Sequence, residues 1–96
     1  MSAYVVIRIT VHDQERLKGY QQIAPSIIEK YHGKILVRGG DVMTLEGPEE
    51  NRRIVMIEFP DVEAARRFYH SDEYSHAVAL RKEAANFEMI AIQGIE

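Results

Sequence analysis

Hydrophobic residues occupy both faces of the strands that the sequence predicts. In segment 3–11, the residues of one face are all apolar and β-branched: Val5, Ile7, Ile9 and Val11. The opposite face mixes apolar with polar residues: Tyr4, Val6, Arg8 and Thr10. A sheet with one face in water shows a cleaner alternation. The pattern therefore predicts a sheet covered by helices on one face and by a second copy of the chain on the other.

Segment 53–59 repeats this pattern and raises the question of where Glu58 lies. The cleaner apolar set is Val55, Ile57 and Phe59, and the other set is Ile54, Met56 and Glu58. If the cleaner set faces the helices, Glu58 shares the opposite sheet face with Arg8. Arg8 is then expected to form an ion pair or hydrogen bonds at the dimer interface or at its rim. A register one residue away reverses this. Glu58 would then enter an apolar pocket, have a raised pKa and be able to act as a general base.

Helical periodicity follows the first strand. Apolar residues recur at helical spacing between Leu17 and Tyr31, which predicts an amphipathic helix over 13–31. Asp13 is suited to the N-cap of this helix. Gly33 is suited to end the helix, because glycine tolerates a positive φ. Pro25 lacks a backbone N–H and crowds the preceding turn, so we expect a kink or a short break near residues 23–24.

The second half of the chain predicts three strands and two helices. Segments 34–38 and 53–59 are strands, 39–40 is a bend, and 41–45 either continues the first of these strands or forms a separate short one. Asp61 can cap a helix after Pro60, and Ser71 interrupts that helix and can cap another. Segment 87–95 is the final strand.

The predicted element order is β, α, β, β, α, β. With right-handed crossovers, this order gives an α+β, ferredoxin-like fold, in which a four-stranded antiparallel sheet carries its helices on one face. The length of 96 residues fits a single domain spanning residues 1–96. Paired through the uncovered sheet faces, two such chains would form a dimeric α/β barrel.

Composition excludes several classes of function. The net charge of -3 lacks the basic excess that nucleic-acid binding requires, and the absence of cysteine excludes disulfides and thiolate chemistry. No membrane span or secretory leader is predicted, so we expect a cytoplasmic protein. Glycine-rich nucleotide motifs are missing, and the four histidines lack the spacing of metal ligands. We therefore expect no cofactor and no metal.

Several spaced motifs along the chain resemble one family. They are Arg38-Gly39-Gly40, Glu46-Gly47, Ile57-Glu58-Phe59-Pro60, Ala64-Ala65, Tyr69, Ser71, Tyr74 and Arg81. On these residues the chain resembles the DUF1330 family over nearly its whole length, although Asp72 stands where a proline often follows the serine. The resemblance implies the dimeric α/β-barrel superfamily, which includes small monooxygenases, isomerases, haem-binding enzymes and non-catalytic modules. Such a fold alone does not assign a function.

Four residues are candidates for binding a ligand between the helices and the sheet. Arg38 precedes two glycines that permit close approach of a ligand, and an arginine fork suits a carboxylate or phosphate. Tyr69, Tyr74 and Arg81 could gather two phenols and a guanidinium in one pocket, which suits an anionic or aromatic ligand. Alternatively, the glycines only bend a strand and the tyrosines belong to the core.

These observations leave three hypotheses. The first is a homodimeric protein that binds a small organic molecule through Arg38, Tyr69, Tyr74 and Arg81. The second, drawn from the resemblance, is a cofactor-independent monooxygenase or isomerase, in which Glu58 or a histidine moves a proton and an arginine stabilises an enolate. The third is a non-catalytic dimeric module, in which these residues pair with one another and leave no cavity.

Overall fold

The computed structural model describes residues 1–95 and contains a four-stranded antiparallel sheet in the order β2-β3-β1-β4. The elements along the chain are β1 (Ala3–Val11), α1 (Gln14–Lys30), β2 (Lys34–Arg38), β3 (Arg53–Phe59), α2 (Val62–Tyr69), α3 (Asp72–Arg81) and β4 (Ala85–Gln93). The ferredoxin-like fold expected from the sequence is thereby confirmed. No helix within residues 1–95 combines the length and apolar character needed to cross a membrane.

The strand register explains which side chains form the core. Val5 lies opposite Ile57 of β3 and Ala91 of β4, so the odd-numbered residues of β1 and β3 share one face. This face packs against the helices, whose buried residues include Leu17, Ala24, Phe68 and Ala77. The cleaner apolar set of each strand is therefore the one that faces the helices, as the pattern indicates.

The opposite sheet face, called the open face below, carries no helix in the described chain. Val6 lies opposite Met56 on one side and Ile90 on the other, which forms an apolar row across three strands. Ile90 and Ile92 remain 50% and 51% exposed. The register also places Arg8 and Glu58 on this face, because Arg8 pairs with Ile54, and Glu58 with Tyr4.

Each helix begins at a side-chain cap that the sequence predicts. The Asp13 carboxylate accepts a hydrogen bond from the Arg16 N–H at 3.1 Å, and the Asp61 carboxylate accepts one from the Ala64 N–H at 2.7 Å. The Ser71 hydroxyl accepts one from the Tyr74 N–H at 3.1 Å. Because the first N–H groups of a helix lack partners within it, these caps fix where each helix starts. The break between α2 and α3 positions Tyr74 in the first turn of α3.

Three local expectations are corrected by the structure. Of the kink or short break expected near Pro25, the break is absent: α1 continues through the proline, because it buries Tyr20 before it and Ile28 after it, and this packing offsets the lost hydrogen bond. Segment 41–45 forms no strand, since the Thr44 hydroxyl accepts the Glu50 N–H and the loop closes on itself. The last strand spans Ala85–Gln93 rather than 87–95, because it pairs with β1 and ends where β1 begins.

Gly33 is not the residue that turns the chain at the end of α1, contrary to the expectation from the sequence. The positive φ of 71° belongs to His32 and not to Gly33. A Cβ at Gly33 would lie 2.6 Å from Cγ2 of Ile28 and 2.8 Å from the ring of Phe59. Glycine is therefore required at this position because α1 and β3 approach each other closely.

Candidate functional site

A pair of tyrosines joins α1 to α3 inside the protein. The hydroxyl oxygens of Tyr20 and Tyr74 lie 2.7 Å apart, and both side chains are buried. Burial is the main cause that raises the pKa of Tyr20 well above its ordinary value, and the neighbouring Tyr74 acts in the same direction. The Arg81 guanidinium opposes this effect. The Tyr20 phenol is therefore a neutral hydrogen-bonding group at physiological pH.

Arg81 is the charged residue of this interior cluster. It is the last residue of α3 and is 8% exposed. Its Cζ lies 3.7 Å from the centroid of the Phe87 ring and 5.5 Å from that of Tyr20, which is within the range of cation–π attraction. Its Nε has no hydrogen-bond partner within residues 1–95. A buried guanidinium with an unused donor is costly, so Arg81 retains an unmet capacity to donate a hydrogen bond.

A cavity of about 480 Å³ opens beside this guanidinium. It lies between α2, the end of α3 and β4, and it will be called the larger cavity. Its charged and polar lining consists of Arg66, Tyr69, His70 and Arg81, while Phe68, Phe87 and Met89 supply apolar surface. The described lining contains no aspartate or glutamate, so the charge of Arg81 is not neutralised there.

A second cavity, about 280 Å³ in volume, lies between α1 and the helix-facing side of β1, β2 and β3 and is called the smaller cavity below. Its walls are largely aliphatic, and Arg38 and Arg53 are its two charged lining residues. Phe87 lines both cavities and Tyr20 lines the smaller one. Tyr20 meets the Phe87 ring edge-on, and Arg81 lies over that ring, so these three side chains lie between the two cavities.

The residues singled out from the sequence do not all meet. Tyr69 and Arg81 line the larger cavity together, whereas Arg38 lines the smaller one. Tyr74 is fully buried and lines neither cavity; its hydroxyl contacts Tyr20. Glu58 lies on the open face, where the Tyr4 hydroxyl is 3.5 Å from its carboxylate. The helix-facing location that would make Glu58 a general base is therefore not the one observed.

Sequence reasoning missed five residues around these spaces: Tyr20, Arg53, Arg66, His70 and Phe87. A signal was present for Tyr20, because it belongs to the apolar stripe of α1, and a buried tyrosine needs a partner for its hydroxyl. His70 sits at the C-cap of α2 and has no distinctive spacing. Its place in the cavity wall follows only from the packing of α2 on β4.

Charged residues cluster at one end of the open face. Glu50 receives hydrogen bonds from Arg8 at 3.3 Å and from Arg52 at 2.8 Å, and Arg52 also reaches Glu88 at 2.8 Å. Hydrogen bonds from Arg52 are the main cause that lowers the pKa of Glu50 to about 2. Arg8 is thus paired with a carboxylate at the rim of the open face. The apolar row through Val6 is left without charges of its own.

Solved structures with the same architecture include proteins with and without a stated activity. A protein of unknown function from Rhodopseudomonas palustris is 18% identical, with a TM-score of 0.76 over 99% of this chain and 83% of the other. A dimeric ferredoxin-like protein of unknown function from Jannaschia sp. CCS1 is 10% identical, with a TM-score of 0.75 over 98% and 100%. SnoaB, a cofactor-independent oxygenase from Streptomyces nogalater, is 14% identical, with a TM-score of 0.70 over 99% and 94%.

These identities are too low to show more than a shared fold. The comparison with curated proteins finds no match. The family described as "Domain of unknown function (DUF1330)" matches residues 2–95, which is nearly the whole chain. The chain therefore belongs to the DUF1330 family.

Proposed function

We propose that this protein is a homodimer that binds a small anionic or aromatic molecule in the larger cavity. The observation that carries the proposal is the buried guanidinium of Arg81, whose Nε has no partner within the described chain and which lines a cavity of about 480 Å³. That volume falls within the range of about 300–1,000 Å³ for small-molecule sites.

The charge of the lining favours an anion. Arg81 contributes a guanidinium that forms no ion pair within residues 1–95, and Arg66 contributes a second one that is paired with Glu63 at 3.4 Å outside the lining. A carboxylate can accept two parallel hydrogen bonds from one guanidinium, which gives both affinity and orientation. The aromatic walls supplied by Phe68, Tyr69 and Phe87 favour a flat ligand that stacks or packs edge-on.

A thermal-shift and calorimetric screen of aromatic carboxylates, phenols and quinones tests this proposal. We expect saturable binding that Arg81→Met weakens at least tenfold, because a charge-assisted hydrogen bond is lost. Methionine removes an incompletely paired buried charge, so the variant should remain folded. Arg67→Gln, an exposed arginine of α2 that lines neither cavity, is the matched control. Binding that survives Arg81→Met unchanged would reject this site.

The dimer is proposed from the open face. Its exposed residues Ile90 and Ile92 adjoin the half-buried Val6 and Met56, and such a contiguous apolar area is typical of an interface. The similar protein from Jannaschia is itself described as dimeric, which supports the same arrangement here. Sedimentation equilibrium should give twice the mass of the chain at micromolar concentration.

A second candidate is a cofactor-independent oxygenase or isomerase, and the observation favouring it is that His70 and Arg81 line the same cavity. His70 would accept a proton from an activated C–H or phenol, and Arg81 would stabilise the resulting enolate or phenolate. SnoaB, with its similar fold, supports testing this chemistry. Oxygen consumption in the presence of quinols and other electron-rich phenols should then fall by about 100-fold or more in His70→Gln. Ligand binding without turnover would leave only the binding function.

A further inference from the structure

We propose that the smaller cavity is a separate binding site for a carboxylate with a short apolar body, such as a medium-chain alkyl carboxylate. This goes beyond the function proposed for the larger cavity. The cavity combines an aliphatic interior with two arginines at one end, and its described lining contains no aspartate or glutamate. An amphiphilic anion matches both parts of that lining.

The interior of the smaller cavity offers only hydrophobic contact to a ligand over most of its surface. The walls come from β1, α1 and β2 and include Ile7, Ile9, Leu17, Ala24, Ile28 and Ile35. Its volume of about 280 Å³ is close to the lower end of the range of ligand sites, about 300 Å³. A short alkyl chain or a single ring is therefore the apolar body that fits.

Strand register brings the two arginines to the same end of this cavity. Arg38 closes β2 and lies opposite Val55, while Arg53 opens β3 two residues before Val55. Because residues two apart in a strand share a face, both arginines belong to the helix-facing side. Neither forms an ion pair within residues 1–95, and both are exposed. Their charges are hydrated and available where the cavity meets solvent.

The side chain of Arg53 packs against Gly39, the residue that follows Arg38. A Cβ at Gly39 would lie 3.0 Å from both Cγ and Cδ of Arg53, so the side chain of Arg53 packs directly over this glycine. Gly39 also has a φ of 67°, which side-chain-bearing residues rarely adopt, and its N–H donates to the Ile54 carbonyl at 2.9 Å. The bend after β2 is thereby fixed against the start of β3. Two guanidinium groups at one opening can share the two oxygens of a carboxylate.

The two cavities share Phe87 but differ in their charged and polar lining. The smaller cavity is not lined by Tyr69, His70 or Arg81, and the larger cavity is not lined by Arg38 or Arg53. A ligand whose head group lies between Arg38 and Arg53 therefore does not need the charge of Arg81. The two sites can be tested separately in the same protein.

The test is a titration of the ¹⁵N-labelled protein with sodium hexanoate and sodium octanoate, followed by amide chemical shifts. We expect saturable shifts at Gln21, Ile35 and Gly39, and not at Tyr69 or His70. Octanoate should bind about tenfold more tightly than hexanoate, because two further methylene groups are buried. The double variant Arg38→Gln, Arg53→Gln should weaken octanoate at least tenfold, because it removes both charged donors and retains most of each side-chain stem.

Arg67→Gln provides the control for a general loss of positive charge and should leave octanoate binding unchanged. Octylamine, which has the same chain with a cationic head, should not bind. The proposal is overturned if octanoate gives no saturable shift, if the double variant binds as wild type, if octylamine binds equally well, or if the shifts lie around Tyr69 and His70. Since the shifts identify the occupied cavity, failure here leaves the proposal for Arg81 standing, and the reverse also holds.

Discussion

The hydroxyl groups of Tyr20 and Tyr74, 54 positions apart in the sequence, lie 2.7 Å apart and satisfy each other inside the protein. Tyr74 is fully buried and Tyr20 is 8% exposed, so solvent cannot replace either partner. This hydrogen bond joins α3 to α1. Arg81 lies at the end of α3, between these helices and the ring of Phe87. The geometry of the larger cavity therefore depends on a contact outside its own lining.

Tyr74→Phe should destabilise the protein by about 1–3 kcal/mol, because it leaves the Tyr20 hydroxyl buried without a partner. Adding Tyr20→Phe should cost much less than the first substitution, since no unsatisfied hydroxyl then remains. A double-mutant cycle from urea unfolding measures this coupling. Additive losses in the two single variants would show that the hydroxyl groups act independently.

Gly33→Ala should destabilise the fold by about 1–3 kcal/mol, because the new methyl group overlaps Ile28 and Phe59 where α1 meets β3. Gly19→Ala is the matched substitution within α1, where a Cβ meets nothing within 4 Å. It should stabilise the protein by about 0.5–1 kcal/mol, because alanine loses less backbone entropy in a helix. Thermal unfolding of both variants checks the opposite signs. Equal effects of the two substitutions would contradict the close approach at Gly33.

Glu73 should contribute to stability in a pH-dependent manner. A hydrogen bond from Lys30 and another from Tyr31 lower the pKa of Glu73 from 4.5 to about 2. Since the folded state holds the carboxylate ionised more strongly than the unfolded state does, its contribution is present above about pH 4.5 and is lost as the pH falls toward about 2. Glu73→Gln should flatten the stability profile in this window.

The control for Glu73 is Glu29→Gln, an exposed position of α1 that forms no ion pair in the described part of the chain. Denaturant midpoints measured across the acid range should show the wild-type slope in this variant. The effect of Glu73→Gln should shrink in high salt, because both partners are partly exposed. A slope that stays the same in Glu73→Gln would contradict the role of this contact between α1 and α3.

Ile90→Glu should prevent dimer formation, because it places a charge in the apolar row that crosses the open face through Val6 and Met56. Leu80→Glu is the matched control, since Leu80 is similarly exposed, at 42% against 50%, but lies on α3. Sedimentation velocity should show a lower mass for Ile90→Glu alone. Dimers that persist in Ile90→Glu would exclude the open face as the interface.

The alternation of apolar residues divided each strand into two sets of side chains and favoured Val5 and Ile57 as the set that faces the helices. It left open which face carries Arg8 and Glu58, because a shift of one residue exchanges the two sets, and only the observed register decides this. The caps Asp13, Asp61 and Ser71 were predictable for a local reason, since each interacts with a backbone N–H three positions later.

The arrangement of the candidate site was not predictable in this way. Arg38 lies on the helix-facing side of the sheet, and Arg81 lies at the end of α3. The sequence does not show how far apart the packing of the helices places these two side chains. Their separation depends on Phe87, whose position follows from the pairing of β4 with β1, and this pairing joins segments about 80 positions apart. Contacts between distant segments also determine the Tyr20–Tyr74 pair.

The irregularity in β2 affects how copies of this protein can associate. Ile35 pairs with Ile57 and Val37 with Met56, so Leu36 is an additional residue with no counterpart in β3. Such a bulge increases strand twist and interrupts the regular spacing of outward N–H and C=O groups, and Lys34 and Arg38 place a positive charge at each end of the strand. Edge-to-edge addition of further strands is therefore disfavoured along β2. The protein can present an apolar sheet surface to one partner without polymerising into fibrils from this side.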